Sequence, residues 1–326
     1  MATCYFRSPL AHRLESFLAT RRAVGQISSS NIKILRYLDR FLMDEIKPGE
    51  TITQQIAERW FRSTEHLRPG TRINRMSVLR QFCIYLSYFD RRTCIVHRSF
   101  VPTRTRPAPH IYSKREVEQI ITAARRIGPA GTIRPVTIAT LIGFLYTTGL
   151  RIGEALKLTV ADVDLKRGVI LVRETKFKKT RQVPISASCA ANLVLYLEQR
   201  RSAGMATSPS SPFFVGHHGR GCRHSAVTTV FLEIVRALNI RGSRGQRGPR
   251  IHDFRHTFAV NRLSEWYREG VNLYAKLPLL STYLGHATVT STELYLHATS
   301  ELLEGVGKRF HSHFAVPPIS RRKLHG

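Results

Sequence analysis

One tyrosine, Tyr295, has to be met by cations scattered over half the chain, and that requirement constrains the fold more than any other feature. Tyr295 lies nine residues after His286 in LGHATVTSTELYLHA, downstream of an HDFRH segment that carries His252 and Arg255. A phenol with a pKa of about 10 is a poor nucleophile at neutral pH. It needs a neighbour to take its proton and cations to hold an anionic target. Arg151 in TTGLRIGEAL and Lys176 in RETKFKKTRQVPI supply further positive charge. His252 and Arg255, three residues apart, share one helix face and can reach one phosphate. For these segments to act together, the chain between Arg151 and Tyr295 must fold back on itself.

The overall charge agrees with an anionic target. Lys and Arg total 51 against 22 Asp and Glu, a formal net charge of +29. Such an excess points to a polyanion, with nucleic acid first. It is not confined to a tail, because residues 1–106 hold 19 basic and 8 acidic side chains and residues 107–326 hold 32 and 14. The five cysteines, Cys4, Cys83, Cys94, Cys189 and Cys222, contain no CxxC pair, which argues against a disulfide framework and a zinc site and fits a reducing cytoplasm. No HEXXH motif occurs, and neither metal nor cofactor is called for. The start lacks a secretory signal and no run of about 18 apolar residues appears, so a cytoplasmic protein without a membrane anchor is expected.

Hydrophobic spacing divides the chain into a helical domain over residues 1–97, a Pro-rich basic linker over 98–112, and a second domain over 113–326. In the first, Ser28 to Ser30 cap a helix through Leu35, Leu38 and Leu42, and TQQIAERWF forms a short one. Pro69 and Gly70 break the chain before Thr71 caps a long helix, with Arg72, Arg75 and Arg80 on or near its exposed faces. In the second, Ser113 and Glu116 make a capping box, and a buried helix from Val136 to Tyr146 ends at TTG. Arg151 opens the next helix, RIGEALKL, where free N–H groups suit an anion. GVILVRE and TRQVPIS flank KFKK as a hairpin with Lys176 near its turn, giving a small β-sheet beside a helical body. Helices follow over residues 188–201 and in HSAVTTVFLEIVRAL, separated by SAGMATSPSSP, a flexible surface loop. The glycine and arginine loop at 241–250 reads equally as a connector or as an arm that tracks a nucleic-acid backbone.

The joint order of TGLRIGEAL, a basic hairpin, HDFRHTFA, LGH and TxxY resembles the tyrosine recombinases, also called the phage integrase family. The resemblance runs through residues 113–310 by motif and through the N-terminal domain by position and helical, basic character. It implies a mainly α fold with a small sheet: a helical core-binding domain and a mixed α/β catalytic domain that together clamp DNA. It also implies roles. Arg151 and Arg255 would hold the nonbridging oxygens of the scissile phosphate, and Lys176 would protonate the leaving 5′ oxygen. His252 would take and return the tyrosine proton, His286 would donate a hydrogen bond, and Tyr295 would attack. Lys178 and Lys179 lie close enough to compete with Lys176 for that role.

The expected partners are double-stranded DNA at specific sites, further copies of the chain assembled as dimer to tetramer, and an accessory recombinase or DNA-bending protein. The expected activity is site-specific recombination through a 3′-phosphotyrosine, in integration or transposition of a mobile element. Two alternatives remain open from the residues: relaxation of DNA by a type IB topoisomerase, and a non-catalytic DNA-binding regulator. Glu154 is expected to orient Arg151 or cap its helix, His256 to be a packed helix residue, Tyr283 to face the core, and His297 to be near the site by sequence only. The segment after Tyr295 is helical in spacing and packs on its own domain or on a neighbouring copy.

Overall fold

A computed structural model of the chain describes residues 6–25, 28–97, 108–129, 131–173, 180–243, 248–285 and 295. The chain divides into two compact units, Met1–Pro107 and Ala108–Gly326. No helix among the described residues is long and apolar enough to cross a membrane.

The first unit packs four helices: α1 (Ala11–Ala23), α2 (Ser29–Glu45), α3 (Gln54–Ser63) and α4 (Pro69–Ser87). Ser28 caps α2 as its position before an apolar-periodic run predicts, and Thr53 caps α3 in the same way. Helix α1 has no side-chain cap, and it buries only Leu14, Phe17 and Leu18, one turn's worth of apolar stripe. They meet Leu35, Leu38, Leu42, Trp60, Leu79 and Phe82 in one core. The chain entering α1 is tied down by buried Asp39 of α2, which accepts from the Arg7 and Ser8 backbone N–H groups, each at 2.9 Å.

Two expectations are corrected here. Pro69 does not break the chain before α4 but is its first residue, where a missing N–H costs nothing, so Thr71 lies inside the helix and is not its cap. Arg72 and Arg75 are half-buried, not displayed on an open face. Their guanidinium carbons lie 4.4 Å from the Phe61 ring centre and 4.5 Å from that of Tyr37, a stacking that covers aromatic surface while keeping charge near solvent.

In the second unit the helices are α5 (Lys114–Ala124), α6 (Arg134–Thr148), α7 (Ile152–Ala155), α8 (Ala187–Ser202), α9 (His224–Ala237), α10 (Asp253–Arg268) and α11 (Leu273–Leu284). The Ser113–Glu116 capping box opens α5. Helix α6 is apolar around most of its circumference and is packed by α5, α8 and α10, which makes it the centre of the unit. A three-stranded antiparallel sheet joins β1 (Val163–Asp164), β2 (Val169–Val172) and β3 (Arg181–Pro184), with Val172 opposite Arg181 at the hairpin end. Residues 174–179, which include Lys176, lie outside the described residues, as does most of the linker, residues 98–107.

Helix α7 is shorter than RIGEALKL, because the chain leaves the helix after Ala155. The SAGMATSPSSP segment is also not the free loop its composition suggests. Arg200, 1% exposed, donates from one guanidinium to the carbonyls of Pro212 at 2.7 Å, Phe213 at 2.9 Å and Ala206. The backbone of Ser211 accepts from Val160 N at 3.0 Å, and Phe213 N donates to Leu158 O at 2.7 Å. A buried guanidinium needs acceptors, and this segment's carbonyls are where it finds them.

Candidate active site

Two helix C-termini aim carbonyls at one arginine. Helices α6 and α11 both end on a left-handed glycine, Gly149 at φ +62° and Gly285 at φ +67°, which turns the chain and leaves terminal carbonyls unpaired within the helix. Arg255, in the first turn of α10, fills the gap between them. It is 2% exposed and donates from one terminal nitrogen to Gly149 O at 3.0 Å and from the other to Leu284 O at 2.7 Å. The negative ends of two helices thus help to hold a cation that burial disfavours. Desolvation, followed by the charge of Arg151, lowers the Arg255 pKa to about 10, still well above neutrality.

The start of α10 is itself pinned. Asp253, 1% exposed, accepts from Arg250 N at 2.9 Å and from the Arg250 guanidinium at 2.7 Å. Thr257 donates to Asp253 O at 2.9 Å and accepts from Tyr112 N at 3.0 Å. These bonds fix where Arg255 leaves the helix.

Arg151 caps α7 and belongs to the same cluster. Its terminal nitrogens donate to Glu154 Oε1 at 2.8 Å and to Gly285 O at 3.3 Å, and its backbone N–H donates to Glu154 Oε2 at 3.1 Å. Glu154 therefore does both things expected of it, orienting Arg151 and capping the helix start through the Arg151 backbone N–H. Burial alone would raise the Glu154 pKa, but the Arg181 hydrogen bonds and the charges of Arg181 and Arg151 hold it below the usual carboxylate value.

Tyr295 sits against this cluster, 3% exposed and packed with Leu263, Leu280 and Leu284. The positive charges of Arg255 and Arg151 both act on its hydroxyl. Burial raises the phenol's pKa while the positive charge of Arg255 and Arg151 pulls it down, and burial prevails. The phenol is protonated at neutral pH, so attack requires a proton acceptor.

Two histidines are nearby. His256 lies edge to face with Tyr295, ring centres 5.3 Å apart, and edge to face with His252 at 5.2 Å. His252 reaches solvent, yet crowding strips enough water from it, with His256 and Arg255 adding to the effect, to lower its pKa to about 4. It is neutral and able to accept a proton. His256 shifts in the same direction by burial, and its Nδ1 has no hydrogen-bond partner among the described residues.

Of the expected set, Arg151, Arg255, His252 and Tyr295 come together. Lys176, His286 and His297 fall outside the described residues. Tyr283 is half-buried, stacked on Phe258, and its hydroxyl donates to Pro184 O at 3.3 Å. His256 is indeed a packed helix residue, but what it packs against is Tyr295. Sequence reasoning missed Arg181 altogether. Its signal was strand alternation: Arg181 and Val183 share one face of β3, and Val183 is fully buried, so the arginine points inward.

Residues 111–301 match the model of the phage integrase family. The chain is 35% identical over 93% of its length, and 97% of the relative's, to y4rB of Sinorhizobium fredii, whose name places it provisionally among integrases and recombinases. It is 27% identical to the tyrosine recombinase XerC of Bacillus subtilis, over 73% of each chain. Its fold resembles that of the Tn1549 transposon integrase solved with transposon right-end DNA, at a TM-score of 0.65 and 17% identity, covering 93% of this chain and 99% of that one. The fold of the site-specific recombinase XerH bound to its difH substrate is similar at a TM-score of 0.64 and 20% identity, covering 93% and 85%. These relatives are recombinases and not topoisomerases, so DNA relaxation is not the favoured activity. A buried tyrosine under the charge of two arginines, in a chain so related, has one reading: the protein belongs to the phage integrase family and is a tyrosine recombinase, an enzyme that cuts and rejoins DNA strands.

Proposed function

We propose that Tyr295 attacks the scissile phosphate of double-stranded DNA at specific sites, with Arg151 and Arg255 holding its nonbridging oxygens. The observation that carries this reading is that the buried Tyr295 phenol lies within the field of the buried Arg255 guanidinium and of Arg151. A guanidinium has five N–H donors. Arg255 commits two nitrogens to carbonyls with one N–H each and still has donors for the phenol and a phosphate oxygen. Water is largely excluded there, so these donors stabilise developing charge far more than they would in solvent.

In the step itself the phenolic oxygen forms a bond to phosphorus and the bond from phosphorus to the 5′ oxygen breaks. His252 takes the phenolic proton, and the arriving phosphate, a negative charge beside a depressed histidine, favours the imidazolium that results. Lys176 protonates the 5′ oxygen and His286 donates to the phosphate. The 3′-phosphotyrosyl link preserves the energy of the broken bond, and a 5′ hydroxyl from another strand reverses the reaction. The N-terminal helical unit, residues 1–97, serves as the core-binding domain and residues 113–326 as the catalytic domain, joined through 98–112. The chain acts in the cytoplasm as a dimer to tetramer on DNA, with an accessory recombinase or DNA-bending protein, in integration or transposition of a mobile element.

Covalent capture tests this. The protein is incubated with a pool of random-sequence nicked duplexes, and denaturant-resistant complexes are recovered and their strands labelled at either end. The proposed chemistry leaves protein on the 3′ phosphate and a free 5′ hydroxyl on the departing strand. Protein on a 5′ phosphate, or no adduct with any sequence, contradicts it.

A further inference from the structure

We propose that Arg181 is a positioning residue that locks three segments of the site, the β2–β3 hairpin, the Arg151 helix start and the turn before His286, into one working arrangement. The inference rests on the recombinase reading of the site and assigns it a residue to which the chemistry above gives no part. Arg181 stands on β3, where the hairpin emerges, and its side chain is 11% exposed. Its terminal nitrogens donate to Glu154 Oε2 at 2.9 Å and Oε1 at 3.3 Å, and its Nε donates to Tyr283 O at 2.8 Å. Glu154 in turn holds both the backbone and the guanidinium of Arg151.

The fit against the turn is close. A Cβ at position 285 would lie 2.8 Å from an Arg181 terminal nitrogen and 2.9 Å from its central carbon. Only a glycine, already required by φ +67°, lets the guanidinium lie on that backbone. Gly285 immediately precedes His286, and its carbonyl accepts from Arg151.

Charge gives the arrangement a second consequence. A buried Glu154 paired with Arg151 alone would neutralise the cation that the phosphate needs. Sharing the carboxylate between two arginines leaves the trio with a net positive charge, and the fork of Arg181 holds both carboxylate oxygens while Arg151 bonds one of them. Lysine in place of Arg181 keeps the charge but cannot make the two-pronged contact and reach Tyr283 O as well.

The test is single-turnover cleavage by the full chain, on a captured nicked duplex, by wild type, Arg181→Lys, Arg151→Lys and the double variant, alongside DNA binding. Arg181→Lys should bind DNA nearly as wild type does and half-saturate at the same concentration, yet cleave about 10 to 100 fold more slowly, as outer partners of a charged site do. The double variant should lose less than the product of the two single losses, because part of each change acts through the same guanidinium. Wild-type rates for Arg181→Lys, or multiplicative losses in the double variant, overturn the proposal while the wild-type adduct preserves the recombinase reading. No adduct with wild-type protein overturns both. If Arg181→Lys does not fold, Glu154→Gln reads the same link from its other end and should show the same slow cleavage with intact binding; wild-type cleavage by that variant overturns the proposal.

Discussion

Replacing Arg255 by lysine removes a bridge between two helix ends while preserving its charge. The guanidinium spans Gly149 O and Leu284 O, carbonyls at the ends of two different helices, and its charge acts on Tyr295 as well. An ammonium on a single stem cannot span that gap, so at least one buried carbonyl loses its donor, at a cost of about 1 to 3 kcal/mol. In a domain of this size each kcal/mol lowers the melting temperature by roughly 2 to 4 °C, which gives a fall of about 2 to 12 °C. Cleavage suffers more, because the phosphate loses a forked partner beside the phenol. Removing one preorganised donor of this kind costs about 100 to 1000 fold in rate. Thermal melting followed by single-turnover cleavage on a captured duplex measures both. A variant that melts with wild type and cleaves near its rate would refute the argument, since it would show Arg255 to be one more charge in a basic surface.

The glycine that bends the chain beside Arg255 should be equally intolerant. Gly149→Ala puts a Cβ 2.5 Å from a Phe258 ring carbon at a φ of +62°, and strain plus overpacking should cost about 2 to 5 kcal/mol in the thermal melt; an unchanged melting temperature would show that Phe258 swings away freely. The depressed His252 makes stability depend on pH. With a folded pKa of about 4 against 6.5 unfolded, the unfolded chain binds more protons between those values, so the stability His252 contributes is complete above pH 6.5 and lost as pH falls toward 4. Wild type should therefore lose stability relative to His252→Asn across that window in parallel denaturant titrations, and a steeper loss in the variant would contradict the shift.

What the sequence made legible was what local chemistry decides. Ser28 and Ser113 announced their helices because a side-chain oxygen before an apolar stripe can do little else. Arg151, Arg255, His252 and Tyr295 were legible because their order and spacing are distinctive, and the structure brings them together. What stayed hidden was decided at a distance. Pro69 looked like a break because proline ends helices as often as it starts them, and only the packing of α4 chooses between the two. The SAGMATSPSSP segment looked free because its anchor, Arg200, reads as a surface arginine until the fold buries it. Arg181 was passed over as one more cation in a basic hairpin, though its alternation with buried Val183 already placed it inside. His256 could be recognised as packed, but not as packed on Tyr295, which lies far along the chain.

The central claim is that Tyr295 is the atom donor of the covalent link, and one measurement addresses it directly. Wild type and Tyr295→Phe are incubated with the same captured nicked duplex, and the denatured products are resolved alongside a native binding assay. Only the attacking oxygen is removed, so the variant should bind DNA nearly as well as wild type and form no denaturant-resistant adduct, while the wild-type adduct, digested and mapped, should carry its nucleotide on the peptide containing Tyr295. An adduct retained by Tyr295→Phe, or a wild-type nucleotide mapped to any other residue, would contradict the account.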